Sequence, residues 1–246
     1  MTRTEPLKTG VEAVSENDTG DFLLIDKPVD WTSFDVVAKI RNTYNAVGLR
    51  RKVGHCGTLD PRATGLLILA TGKKTKQISK LENLDKIYKG VIKLGVMTES
   101  HDTETPEYDE RDVAHLNLDE IKAAAAAFEG RHMQKPPMHS AVWHKGKRLY
   151  ELARKGKYVA ERKAREICVN SFEVLAFELP YVHFRTDVSK GAYIRVLAYD
   201  FGQKLGVGGY LVSLRRISIG DYSVSDARSI SDTVEIILGK AKGSMG

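Results

Sequence analysis

"GHCGTLDPRATG", residues 54–65, places three glycines, a proline, a histidine, a cysteine and an aspartate directly ahead of the apolar run "LLILA". Glycine and proline at this density ordinarily turn the chain, and an Asp-Pro step taken in isolation is more often a turn or a helix start than a catalytic group. The stretch nevertheless carries side chains able to do chemistry. Asp60 is the residue whose reading decides between the two. His55 beside Cys56 does not suggest a metal site, because adjacent residues rarely chelate one ion and no partner pair is present.

The wider sequence narrows the choice. At 246 residues and 42% hydrophobic, the chain can bury a core as one large domain or two small ones. No apolar run approaches the roughly 18–20 residues of a membrane span. Residues 1–20, "MTRTEPLKTGVEAVSENDTG", are polar and contain acids, unlike a signal or transit peptide. They are expected to be disordered, and the protein is expected in the cytoplasm. Cys56 and Cys168 fit no metal-ligand spacing and read as thiols in a reducing compartment.

Charge is unevenly spread. The net is +6, but residues 131–165 hold eleven lysines and arginines against only Glu151 and Glu161. That segment is about +9 and the rest of the chain about −3. A second acid-free run comprises Lys39, Arg41, Arg50, Arg51 and Lys52. A basic run is commonly a solvated face. Here its concentration, interleaved with Trp143, Tyr150 and three histidines, favours a polyanion, nucleic acid above all.

Along the chain, "DFLLIDKP" reads as a buried strand and "TSFDVVAKIRNTYNAVG" as a helix capped by Thr32 or Ser33 and ended by Gly48. "GLLILATG" reads as a strand, "KKTKQISKLEN" as a short helix and "KIYKGVIKLGV" as a strand. "NLDEIKAAAAAFEG" has a capping box at Asn117 and Glu120, with Gly130 as its stop. The basic segment starts loop-like around Pro136-Pro137, and "RLYELARKG" can form one short helix. Strands follow in "REICVNSFEVLAFEL" and "YVHFRTDVS", then the helical "AYIRVLAYDFGQKLG" and the strand-like "LVSLRRISIGDYSV". Helices and strands alternate without regular βαβ spacing, which predicts α+β with one mixed sheet.

Two nucleotide-loop readings fail. In "GLLILATGKKT" the glycine preceding Gly72-Lys73 lies seven positions upstream instead of five, and Lys74 stands where a magnesium-binding hydroxyl belongs. "GVGGYL" ends on Leu211 where a dinucleotide fingerprint needs glycine.

The string around Asp60 resembles the signature of the TruB family of pseudouridine synthases, which isomerise a uridine in the T arm of transfer RNA; Cys56 stands where threonine is usual. Further matches follow in the family's order. "LLIDKPVDWTS" is similar to its Lys-Pro motif and "KIYKGVIKLGVMTESHDTE" to its aromatic strand motif. "PPMHSAVWHKGKRLYELARKG" resembles its RNA-gripping insertion, and "VSKGAYIRVLAYDFGQKLGVGGYLVSLRR" its Tyr-x-Arg and Leu-Arg-Arg motifs.

The resemblance implies a largely antiparallel, curved sheet flanked by helices. It places a catalytic domain at 21–230, an RNA-binding insertion at 131–165 and a short tail at 231–246. Bacterial members usually continue into a small C-terminal RNA-binding domain, which that tail is too short to form. Pseudouridine forms when the N1–C1′ bond breaks and the base reattaches through C5. A carboxylate suits this, because it can bond to the substrate or stabilise positive charge at the sugar and then leave. By resemblance that group is Asp60, acting by attack at C1′ or through a glycal. Arg195 is its cationic partner. Tyr88 stacks on the base and is placed for proton transfer at C5. Tyr193 is a pocket residue and Leu214 an apolar wall. His55 helps extrude the nucleotide, since C1′ and C5 are inaccessible in a stacked loop, and Lys27 supports the site. Lys145, Lys147, Arg148, Arg154 and Lys155 are expected on the RNA backbone, in an insertion that orders when RNA binds. The reaction calls for no redox cofactor and no metal. A monomer acting on the T arm, with no protein partner, is expected. Two other readings stay open: the same reaction on ribosomal RNA with a guide RNA, and an RNA chaperone without catalysis.

Overall fold

The computed structural model describes residues 19–140 and 142–243, with side chains to residue 239; most of the polar segment 1–20 and the end of the 231–246 tail lie outside them. In chain order the elements are β1 (Phe22–Lys27), α1 (Ser33–Ala46), β2 (Val53–Cys56) and β3 (Ala63–Thr71). A 3-10 turn (Gly72–Gln77) leads into α2 (Ile78–Glu82), followed by β4 (Lys86–Leu94), β5 (Met97–Thr98), β6 (Glu107–Tyr108) and α3 (Leu118–Ala126). Then come β7 (Gly130–Gln134), β8 (Trp143–His144), β9 (Lys147–Arg148), α4 (Leu149–Ala153), β10 (Arg165–Glu178) and β11 (Tyr181–Val188). The chain closes with α5 (Ile194–Lys204), β12 (Gly209–Ile219), β13 (Tyr222–Ser223) and α6 (Ile230–Gly243). The fold class is α+β, with a mostly antiparallel sheet flanked by helices.

The described residues form two compact units, one running up to Leu84 and resuming at Arg215, the other Asp85–Leu214. The span expected as one catalytic domain, 21–230, takes in the second unit and part of the first, and stops at the first residue of α6.

In the first unit the alternation of β1 builds two cores. Leu23 and Ile25 face α1 and α6, joining Val36, Val37, Ile40, Tyr44, Leu67, Leu69, Ile230 and Ile237. Phe22 and Leu24 face the other way, toward Cys56, Leu66, Ile68, Ala70, Leu81 and Ile219. Successive side chains of a strand point to opposite faces, so one buried run serves both layers. The antiparallel register sets Leu23 against Leu69 and Ile25 against Leu67. Helix α1 starts at a capping box in which Thr32 accepts from the Asp35 amide and the Asp35 carboxylate accepts from the Thr32 amide.

In the second unit β4, β11, β10 and β7 pair antiparallel in that order. Phe172 on β10 packs against Phe184 on β11, Phe201 on α5 and Phe128 just past α3, with ring centroids 5.3–6.3 Å apart. Gly90 on β4 makes room for this cluster: a Cβ there would stand 2.7 Å from the Phe184 ring. Strand β7 pairs with the start of β10, Gln134 against Arg165. The basic segment is therefore closed at its base by two paired strands. Its first residues belong to the sheet, and the inserted chain proper is 135–164.

Candidate active site

Asp60 lies in the loop joining β2 to β3. Those strands pair antiparallel, Cys56 opposite Ile68, so residues 57–62 form a short closed excursion. Three buried donors hold it. Arg216 on β12, 1% exposed, sends Nε to the Leu66 carbonyl at 2.8 Å, Nη2 to Gly57 at 3.0 Å and Nη1 to Thr58 at 3.4 Å. Lys27, at the end of β1 and fully buried, donates from Nζ to the carbonyls of Trp31 at 2.6 Å, Pro28 at 2.8 Å and Pro61 at 3.4 Å. The Ser33 hydroxyl accepts from the Leu59 amide at 2.8 Å and donates to its carbonyl at 3.0 Å. Asp60 is thus bracketed by two pinned residues, Leu59 and Pro61, and its own carbonyl accepts from the Ala63 amide at 3.0 Å. Gly65 admits the clamp: its φ is +99°, and a Cβ would stand 2.3 Å from the Arg216 carbonyl oxygen.

This geometry sets the electrostatics. Lys27 and Arg216 donate these hydrogen bonds to neutral carbonyls, which satisfy their N–H groups without cancelling their charge. Burial pushes the Lys27 ammonium down to about 8, and the Asp60 carboxylate is the strongest charge opposing that shift. Asp30 and Asp35 also oppose it, while Arg216 adds to it. Asp60 therefore sits within electrostatic reach of a buried cation. His55 on β2 is half-buried. Burial lowers its pKa, Glu82 opposes and Arg216 reinforces, so the ring is neutral at neutral pH.

The second unit carries the other expected residues. Tyr88 on β4 is buried and lies opposite Thr186 of β11. Tyr193 caps α5; its amide donates to Gln134 Oε1 at 2.7 Å and its carbonyl accepts from Gln134 Nε2 at 3.1 Å. This pair of hydrogen bonds from β7 fixes where α5 begins. Arg195, in the first turn of α5, is 4% exposed. Its Nη1 donates to the Ser100 carbonyl at 3.5 Å, its Nε lies 3.9 Å from Asp102 Oδ2, and its Cζ is 6.0 Å from the Tyr193 ring centre. Asp102 is held in turn. Its Oδ1 accepts from the Glu104 amide at 2.9 Å, and its carbonyl accepts from Thr98 Oγ1 at 2.7 Å and Ser100 Oγ at 3.2 Å. His101, between Ser100 and Asp102 in the chain, stacks on Tyr199, ring centres 4.1 Å apart. Burial pushes His101 down to about 4, with Arg195 reinforcing and Asp102 opposing. Leu214 is half-buried at the last position of this unit.

Of the insertion residues, Lys145 and Lys147 are exposed on the β8–β9 hairpin and Arg148 lies over the Trp143 ring. Arg154 and Lys155 are exposed at the end of α4. Arg216, Ser33 and Asp102 were not among the expected site residues. Arg216 and Asp102 do stand inside the "LRR" and "TESHDTE" strings.

Comparison with known proteins adds identity to geometry. The family model described as "TruB family pseudouridylate synthase (N terminal domain)" matches residues 44–194. A tRNA pseudouridine synthase B of Chlorobium chlorochromatii is 63% identical over 92% of this chain and 89% of its own. That of Chlorobaculum tepidum is 64% identical over 90% and 92%. Among solved structures, the archaeal box H/ACA sRNP Nop10–Cbf5 complex is similar with a TM-score of 0.66 at 26% identity, over 92% of this chain and 56% of that one. An H/ACA RNP bound to a substrate RNA containing 2′-deoxyuridine gives 0.65 at 25% identity, over 96% and 63%. The chain spans under two thirds of the length of those two structures' chains. By the family match and by these relatives together, the chain belongs to the TruB family of pseudouridylate synthases, which are isomerases.

Proposed function

We propose that the protein is a tRNA pseudouridine synthase that converts the T-loop uridine (position 55 of tRNA) to pseudouridine, with Asp60 as its nucleophilic carboxylate. The observation that carries the proposal is the loop 57–62, whose backbone is pinned on both sides of Asp60 by Lys27, Ser33 and Arg216. A reacting group must be held within a fraction of an ångström of its productive position, and this loop meets that need. Near-complete two-way coverage by relatives named tRNA pseudouridine synthase B supports the substrate.

In this reading the uridine is flipped out of its stack, and His55 fills the space it leaves. Asp60 acts at the sugar as the N1–C1′ bond breaks, the detached uracil turns, and C5 takes the place of N1. Tyr88, whose ring stacks on the base, is placed for the proton that leaves C5, and N1 takes up a proton in exchange, so the product is an isomer of the uridine. Tyr193 and Leu214 line the uracil. Arg195 is assigned as a cationic partner of the reacting carboxylate, itself oriented by Asp102 and the Ser100 carbonyl. Lys145, Lys147, Arg148, Arg154 and Lys155 contact phosphates of the T arm. No helix among the described residues is long and apolar enough to cross a membrane, and we place the enzyme in the cytoplasm as a monomer. The guided reaction on other RNAs draws support only from structures at about 26% identity, of which this chain spans 56–64%.

The test is incubation with an unmodified tRNA transcript followed by carbodiimide-stop mapping. One new stop, at the T-loop uridine, is expected. A stop elsewhere, or none, contradicts the proposal.

A further inference from the structure

The insertion contains a short hairpin whose first strand carries an exposed tryptophan. Lys145 and Gly146 form its two-residue turn, with φ of +46° and +80°. Positive φ at both central positions belongs to the type I′ turn, whose twist matches that of paired strands. The register sets Trp143 directly opposite Arg148 and His144 opposite Lys147. The Arg148 guanidinium carbon lies 4.2 Å from the Trp143 ring centre, within cation–π range. The base of the hairpin is anchored: the Leu149 amide donates to Val142 at 2.9 Å, the Tyr150 amide to Ser140 at 3.0 Å, and the Leu149 side chain is 1% exposed. Trp143 itself is 61% exposed.

A scattered surface hydrophobe needs no explanation. This one differs in being positioned. A cross-strand arginine backs one ring face, a tight turn fixes the strand that bears it, and most of its surface still meets solvent. Its neighbourhood is cationic, with Lys145, Lys147, Arg154 and Lys155 exposed and Glu151 as the sole acid between residues 135 and 160. A flat, pre-oriented aromatic surface ringed by cations fits the π face of a nucleobase with phosphates on either side.

We propose that Trp143 is a stacking platform for one unpaired nucleotide of the substrate RNA, with Arg148 holding the ring and Lys145 and Lys147 meeting the flanking phosphates. The inference rests on the tRNA reading above and goes beyond it by assigning a base contact to the hairpin. A paired base offers no open face, so the nucleotide is one from a loop or a bulge.

The experiment is titration of the full chain with an unmodified tRNA transcript across a salt series, for wild type, Trp143→Ala and Trp143→Phe. Removing one base stack should weaken binding by about 5- to 150-fold and leave the slope of log K against log salt unchanged, since no charge is removed. Trp143→Phe should recover most of the affinity, which separates stacking from a collapsed hairpin. Affinity of Trp143→Ala within twofold of wild type, or equal weakening by both variants, overturns the inference while leaving the functional reading intact. Failure of the wild-type protein to bind the transcript overturns both.

Discussion

Residues 57–62 and residues 135–164 are both largely irregular chain, yet they are held in opposite ways. The short loop is gripped from below by buried side chains. Lys27, Ser33 and Arg216 aim their donors at its carbonyls and at those beside it, and each is at most 2% exposed. The insertion is anchored where it leaves the sheet, through buried Pro136, Pro137, Met138 and Ser140, and through Leu149 and backbone bonds at the hairpin base, while its charged side chains stay outside. Its aromatic–arginine contacts, Trp143 with Arg148, Tyr150 with Arg154 and Tyr158 with Arg162, lie at the surface. The difference matches the proposed tasks. Bond rearrangement needs a group fixed before substrate arrives; gripping a charged, irregular polymer needs cations that can adapt to it.

Relaxing the clamp is the strongest way to break this contrast. Arg216→Lys keeps the charge but replaces a planar fork, whose three nitrogens reach three separate carbonyls, by a single nitrogen on a flexible stem. A misplacement of about 1 Å can cost a hundredfold in rate. Turnover on saturating tRNA should therefore fall by about 10- to 100-fold while Kd stays within about threefold. A variant with normal turnover and weakened binding would reverse the roles assigned to the two regions.

Lys27→Met removes the donor shared by Pro28, Trp31 and Pro61. Leaving buried carbonyls unpaired costs about 1–3 kcal/mol each, and relief of the desolvation of the ammonium offsets part of that, so a net destabilisation of about 2–4 kcal/mol is expected by denaturant titration. The pH dependence has a definite sign. The folded pKa is about 8 against an ordinary 10.5, so between those values the unfolded chain binds the proton that the folded protein has released. Stability of the wild type therefore rises with pH through that window. Lys27→Met has nothing to titrate at this position, so the gap between the two should widen from pH 8 to 10. A constant gap would show that Lys27 is not perturbed.

The insertion gives the smallest effect on chemistry. Replacing Lys145, Lys147 and Lys155 together by alanine should flatten the salt dependence of log K by roughly 0.7–0.9 for each phosphate no longer neutralised. The single-turnover rate at saturating RNA should change by less than about threefold. An unaltered slope and affinity would make the basic run an idle solvated face.

Much of this was legible because it is written in apolar period or in glycine chemistry. β1 and α1 appear where alternation and the Thr32 cap put them, and the Asn117–Glu120 capping box opens α3. Gly130 was expected to stop that helix. It ends instead at Ala126, and Phe128 turns into the aromatic cluster while Gly130 begins β7. β7 itself, "GRHMQ", has no apolar alternation to betray it. The region read as a tail forms α6, and Ile230, Val234 and Ile237 at helical spacing were the available signal. Of the clamp, Lys27 was expected by resemblance to support the site, while its carbonyl partners and the role of Arg216 were illegible for a different reason. Arg216 and Lys27 are charged residues whose partners are backbone carbonyls up to 159 residues away, and sequence pattern ordinarily assigns such side chains to the surface. Asp102, buried within a polar loop, presents the same difficulty.

The central claim is that the carboxylate carried on the pinned loop does the chemistry. Its most direct test is the single-turnover rate of Asp60→Asn on an unmodified tRNA transcript, with Kd measured in parallel. An amide matches the carboxylate in size and cannot serve as its nucleophile, so the rate should fall by several powers of ten, to below about a hundredth of wild type, with Kd nearly unchanged. Pseudouridine formed by Asp60→Asn at a rate comparable to wild type would contradict the account.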